Sequence, residues 1–132
     1  MNNELPTAIL FDLDDTILSH GLPQALFLPV ARRNIGALSG ISLGELLGAF
    51  EESRTWFWGD KDRHLNGRLD HRYARKAIAA RIAENMAASK SDLRVIERIV
   101  LEYGEARRDN LKPFDGAIDT LATLSQSGLL LA

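Results

Sequence analysis

The sequence predicts an α/β fold in which two parallel strands flank a helical insert, and three observations lead there. Ala8-Ile9-Leu10-Phe11 is a continuous apolar run with acidic and turn-forming residues directly behind it, the pattern of a strand buried on both faces. From about residue 22 to residue 108 the apolar residues recur at helical spacing. Gly128 then leads straight into Leu129-Leu130-Leu131-Ala132, which reads as a second buried strand. This order divides the chain into residues 1–18 (first core strand and its acidic loop), 19–108 (helical insert) and 109–132 (return helix and second strand).

Each helix has its own signals. Leu22 to Leu38 is a helical stretch that Pro29 is expected to bend or divide, and Gly40 supplies a stop. Ser42-Leu43-Gly44-Glu45 is a capping box, with Leu43, Leu46, Leu47 and Phe50 behind it at helical spacing. Tyr73, Ala74, Ala77, Ile78, Ile82 and Met86 are expected to line one face of a later helix. Ser91 is expected to cap the next, whose buried face would be Val95, Ile96, Ile99, Val100 and Tyr103. After Lys112-Pro113 a shorter helix begins around Asp115 and carries Ile118, Leu121 and Leu124 before Gly128 ends it.

The totals narrow the function classes. At 132 residues, with 45% hydrophobic and 26% charged, the chain has the balance of a single globular domain, which argues against disorder. A net charge of -2 gives no global reason to expect nucleic acid or an anionic membrane as a partner, so any phosphate binding is local. With no cysteine, disulfides and thiolate chemistry are excluded, which suits a reducing cytoplasm. The first residues lack the basic start and apolar run of a secretory signal, and the closing Leu129–Ala132 run is too short to cross a bilayer.

The chemistry is concentrated in Phe11-Asp12-Leu13-Asp14-Asp15-Thr16-Ile17-Leu18, at the carboxyl end of the first strand, where α/β sheets present their ligand-binding groups. Three acids in four residues are costly to pack unless a cation is bound, and magnesium, which takes oxygen ligands and keeps several waters, fits a carboxylate half-site. Two carboxylates two residues apart can also divide labour, one attacking phosphorus and the other moving a proton. Thr16 can lock such a loop by bonding the backbone or the second carboxylate.

Behind its apolar strand, Asp12-Leu13-Asp14-Asp15-Thr16-Ile17-Leu18 resembles the first signature of the haloacid dehalogenase superfamily. The helical insert and the return through Lys112-Pro113-Phe114-Asp115-Gly116 are similar to members whose cap lies between the first two core strands. The resemblance implies a Rossmann-like core with an inserted all-helical cap. It implies that Asp12 is a nucleophile that becomes an aspartyl phosphate, that Asp14 is general acid and base, and that Thr16 holds the loop. Magnesium would be held by Asp12 through its carboxylate and by Asp14 through its backbone carbonyl. A second aspartate at this position is similar to the phosphatases and phosphomutases of the family and unlike its dehalogenases. The expected activity is hydrolysis of a small phosphorylated metabolite; a phosphomutase, or a non-catalytic helical assembly module that keeps the acidic loop, are the alternatives.

The family pattern continues beyond the second core strand to a phosphate-binding Ser or Thr, a Lys and an acidic pair, none of which is matched here. Lys112 precedes that strand and does not correspond to the Lys. On this reading the 132 residues are an amino-terminal portion, inactive by themselves and prone to self-association through exposed core strands.

Weaker signals point to structure first. Residues 60–81 hold seven Lys or Arg with His64 and His71, against Asp60, Asp62 and Asp70; this could concentrate a phosphorylated substrate, but reads first as a solvated helix face. Trp56, Phe57 and Trp58 could line a pocket and read first as core. His20 reads as a loop residue and is left out of the site.

Overall fold

A computed structural model of the chain describes residues 6–132, so the reading of residues 1–5 as free of a secretory signal lies outside it. The described residues form six α-helices, one short 3-10 turn and four two-residue strands. They divide into two compact units, Leu22–Arg107 and Met1–Gly21 with Arg108–Ala132.

In the first of these units α1 (Pro23–Asn34) opens on Pro23, where the missing N–H has no helical partner to lose. Pro29 cannot donate to the carbonyl one turn back, yet α1 runs through it without being divided and passes into the 3-10 turn Ile35–Ala37. Helix α2 (Leu43–Trp58) starts at Ser42, whose side chain accepts from the Glu45 N–H while Glu45 accepts from the Ser42 N–H, so both halves of the capping box are present. Asp60 caps α3 (Lys61–Leu69), and Asp70 caps α4 (His71–Asn85) by accepting from the N–H groups of Arg72 and Tyr73.

Helix α5 (Lys90–Asp109) is entered differently from the expectation. Ser89, not Ser91, makes the reciprocal bonds: its hydroxyl accepts from the Asp92 N–H at 3.1 Å while its own N–H donates to Asp92 at 3.3 Å. The cap is set one turn before a buried acid, not immediately before the apolar run. Asp92 also accepts from the Ser39 N–H at 2.9 Å, tying the loop before α2 to the start of α5.

The core of this unit is aromatic. Phe27 and Phe50 stack face to face with centroids 3.6 Å apart, and the Tyr103 ring meets both edge-on at 5.7 and 4.9 Å. Leu46, Phe57, Ile82, Ile96 and Ile99 are fully buried around them. Phe57 is core, whereas Trp56 and Trp58 are partly buried against it. Tyr73, expected inside, is 41% exposed. Polar bonds fasten the helices at the rim: Asn34 donates to Val30 and to Glu102, and Glu52 accepts from Arg81 and Asn85.

The other unit is held by backbone bonds. Strand β1 (Ala8–Ile9) pairs in parallel with β4 (Leu130–Leu131), Ala8 opposite Leu130 and Ile9 opposite Leu131. Flanking bonds lengthen the ladder, with Leu130 N–H donating to Thr7 and Phe11 N–H to Ala132. A second pair, which the sequence did not suggest, runs antiparallel between β2 (Leu18–Ser19) and β3 (Lys112–Pro113). Helix α6 (Ala117–Gln126) begins two residues later than expected and has no buried residue; Ile118 is 58% exposed.

The expected Rossmann-like α/β core is therefore corrected. The described residues are predominantly helical, and their sheet content is two separate two-stranded pairs. Continuous apolar runs mark where strands form, but a parallel sheet also needs several neighbours and covered faces. The runs at Ala8–Phe11 and Leu129–Ala132 each yield two strand residues, and Leu10 and Leu130 stand 83% and 72% exposed. Among the described residues no helix is long and apolar enough to cross a membrane.

Candidate functional site

The acidic loop leaves the β1–β4 ladder at Phe11, whose N–H is fixed to Ala132 at 2.7 Å. Three further backbone bonds close it: Ile17 N–H and Leu18 N–H both donate to Leu13, and Asp15 N–H donates to Leu18 at 2.8 Å. Such a tight reversal needs one residue in the left-handed region, and Asp15 takes it with φ of 54°. Asp is among the few non-glycine residues that adopt this conformation readily, so the third acid of the run has a backbone role. Phe114 N–H, donating to Ile17 at 2.9 Å, anchors the loop to the return segment.

This geometry leaves Asp12, Asp14 and Thr16 all exposed. Asp12 accepts from the Leu13 N–H through Oδ1 at 2.9 Å, an arrangement that orients the carboxylate without burying it. Asp14 Oδ1 lies 3.2 Å from His20 Nε2, with the Asp14 side chain 70% exposed and the His20 side chain 20% exposed. Among the described residues the bonds that close the loop are backbone bonds, and Thr16 is not one of their partners. His20 is the residue that sequence reasoning left out. Its position six residues beyond Asp14 becomes meaningful only because β2 carries the chain back beside the acidic turn.

As a donor set for magnesium the loop fits a half-site. Magnesium is commonly held by one or two carboxylates together with waters and substrate oxygens, and Asp12 and Asp14 offer oxygen ligands on an exposed turn. No group of three or more acidic or imidazole ligands forms among the described residues.

A concavity of about 590 Å³ lies in the Leu22–Arg107 unit, lined in part by Ile41, Glu45, Glu52, Met86 and Asp92. Its acids are already engaged. The Ser42 hydroxyl holds Glu45 below its ordinary pKa, Arg81 does the same for Glu52, and the Ser89 hydroxyl followed by the Ser39 N–H for Asp92. These acids act as caps and helix ties. The basic stretch is likewise partly committed: the Arg63 guanidinium sits 4.0 Å from the Trp56 ring centroid and donates to the Trp56 carbonyl at 2.8 Å.

No family model, curated protein or solved structure matches the chain.

Proposed function

We propose that the chain belongs to the haloacid dehalogenase superfamily and carries the acidic loop of a magnesium-dependent phosphate monoester hydrolase that works through an aspartyl phosphate. The observation that carries this reading is the loop itself. Two exposed carboxylates two residues apart follow a strand end, on a turn fixed by four backbone bonds and the left-handed Asp15.

Their roles follow from the chemistry each can perform. An Asp12 carboxylate oxygen attacks phosphorus and the ester P–O bond breaks, while the Asp14 carboxyl gives its proton to the departing alkoxide. Asp14, now ionised, takes a proton from water as the water oxygen attacks the phosphorus of the aspartyl phosphate, releasing phosphate and restoring Asp12. The Asp12 carboxylate and the Asp14 carbonyl would hold magnesium, which when bound would neutralise the charge that opposes attack of one anion on another. A small phosphorylated metabolite is the proposed substrate and the cytoplasm the proposed compartment, the latter supported by the absence of cysteine from the sequence.

Release of phosphate from an aryl phosphate by the protein should require magnesium and stop in excess EDTA. Full activity in chelator with no metal recovered would refute the mechanism, and isomer formation without phosphate release would favour a phosphomutase.

A further inference from the structure

We infer that His20 is the positioning residue for Asp14: its imidazole holds one carboxylate oxygen so that the other faces the leaving group. This rests on the assignment of Asp14 as the acid that protonates that group. Three observations carry it. The His20 Nε2 to Asp14 Oδ1 distance is 3.2 Å, within hydrogen-bonding range. The backbone that carries the imidazole is held, because β2 ends at Ser19 and the Asn110 Nδ2 donates to the His20 carbonyl at 3.1 Å, and the His20 side chain is only 20% exposed. Its Nδ1 is buried with no partner among the described residues.

The last point selects the tautomer. A buried N–H without an acceptor is rarer and more costly than a bare ring nitrogen, so the proton of the neutral ring belongs on Nε2. Nε2–H then donates to Asp14 Oδ1, and the carboxylate is restrained by a ring that cannot rotate freely. An exposed aspartate otherwise samples several rotamers, and proton transfer requires the carboxyl within reach of the departing oxygen. With Oδ1 engaged by His20, Oδ2 is the oxygen left to carry the proton. His20 touches neither metal nor phosphorus in this arrangement; it acts through Asp14.

Two measurements on the full-length protein decide the matter. The ¹⁵N shifts of the His20 ring should report the Nε2–H tautomer, and Asp14→Ala, which leaves Nδ1 buried, should keep that tautomer while moving the Nε2 resonance as its hydrogen bond is lost. An unchanged spectrum in Asp14→Ala would overturn the contact. Across a series of aryl phosphates, His20→Ala should lower kcat for poor leaving groups about tenfold or more, with KM and the rate for good leaving groups nearly unchanged, because only poor leaving groups depend on a well-placed proton. His20→Gln, whose amide nitrogen can occupy the place of Nε2, should restore much of the loss. Equal losses for all esters, or no rescue by Gln, would show a merely structural role and sink the proposal. Failure of the underlying reading looks different: neither wild type nor Asp12→Asn would hydrolyse any ester, and the proposal would fall with it.

Discussion

The two units reach order by different means. In Leu22–Arg107 the helices bury Phe27, Phe50, Phe57, Ile82 and Ile96 almost completely, and the caps at Ser42, Asp60, Asp70 and Ser89 finish their ends. In Met1–Gly21 with Arg108–Ala132 no described residue is fully buried, and short backbone ladders do most of the work. Apolar burial is the main stabilising contribution in folded proteins, whereas an individual hydrogen bond contributes about 1 kcal/mol net. The contrast separates a unit built for stability from one whose exposed carboxylates are available for chemistry.

The largest expected effect lies in the second unit. Asp12→Asn removes the only oxygen nucleophile assigned to the loop, so turnover of aryl phosphates by the full-length protein should fall by several powers of ten with the helical circular dichroism unchanged. Near-normal turnover would remove Asp12 from the nucleophile role. In the helical unit the equivalent blow is Phe50→Ala, which opens a cavity between the Phe27 ring stacked on it and the edge-on Tyr103 ring. Denaturant unfolding should show a loss of about 3–5 kcal/mol.

A smaller change makes the same distinction. Gly67 in α3 is buried, and a methyl group there would lie 2.5 Å from the Phe57 ring, which is fully enclosed and has nowhere to go. Gly67→Ala should therefore destabilise by about 1–3 kcal/mol despite the better helix propensity of alanine. Thermal melting that shows a gain would mean the ring can shift.

Acid should act mildly on the helical unit. Hydrogen bonds lower the pKa values of Glu45, Glu52, Asp70 and Asp92 from ordinary values of 4.5 for Glu and 3.8 for Asp. A carboxylate lowered in the folded state contributes stability that is present above its unfolded value and lost as pH falls through the folded one. Melting temperature should accordingly hold steady from neutrality and decline once pH passes below about 4.5. Asp92→Asn should flatten part of that decline, and an unchanged acid profile would argue that Ser89 and Ser39 do not select the charged form.

What could be read in the sequence follows the same division. Helix positions are set by local signals, so the Ser42 capping box and the apolar spacing of Ile96, Ile99 and Val100 were legible without knowing any partner. Ser89 was missed because Ser91 lies nearer the apolar run, while the true cap depends on Asp92, an acid that is buried only once Ser39 arrives from a distant loop. The α/β core was over-read because an apolar run specifies a strand and says nothing of how many neighbours it finds. At the loop, the acidic triplet was plain. The left-handed turn at Asp15 and the approach of His20 were not: the turn is closed by backbone bonds that no side-chain pattern announces, and His20 follows a strand that pairs with a segment over 90 residues away.

The most direct test of the account is to trap the intermediate. Full-length protein mixed with a reactive aryl phosphate and magnesium, then quenched with borohydride, should carry a reduced aspartyl residue at position 12 and nowhere else. The label should vanish in EDTA and in Asp12→Asn, and should persist longer in Asp14→Asn, where water is no longer activated. Hydrolysis that proceeds with no label at Asp12, or with label at another carboxylate, would contradict the assignment of this loop as the nucleophile.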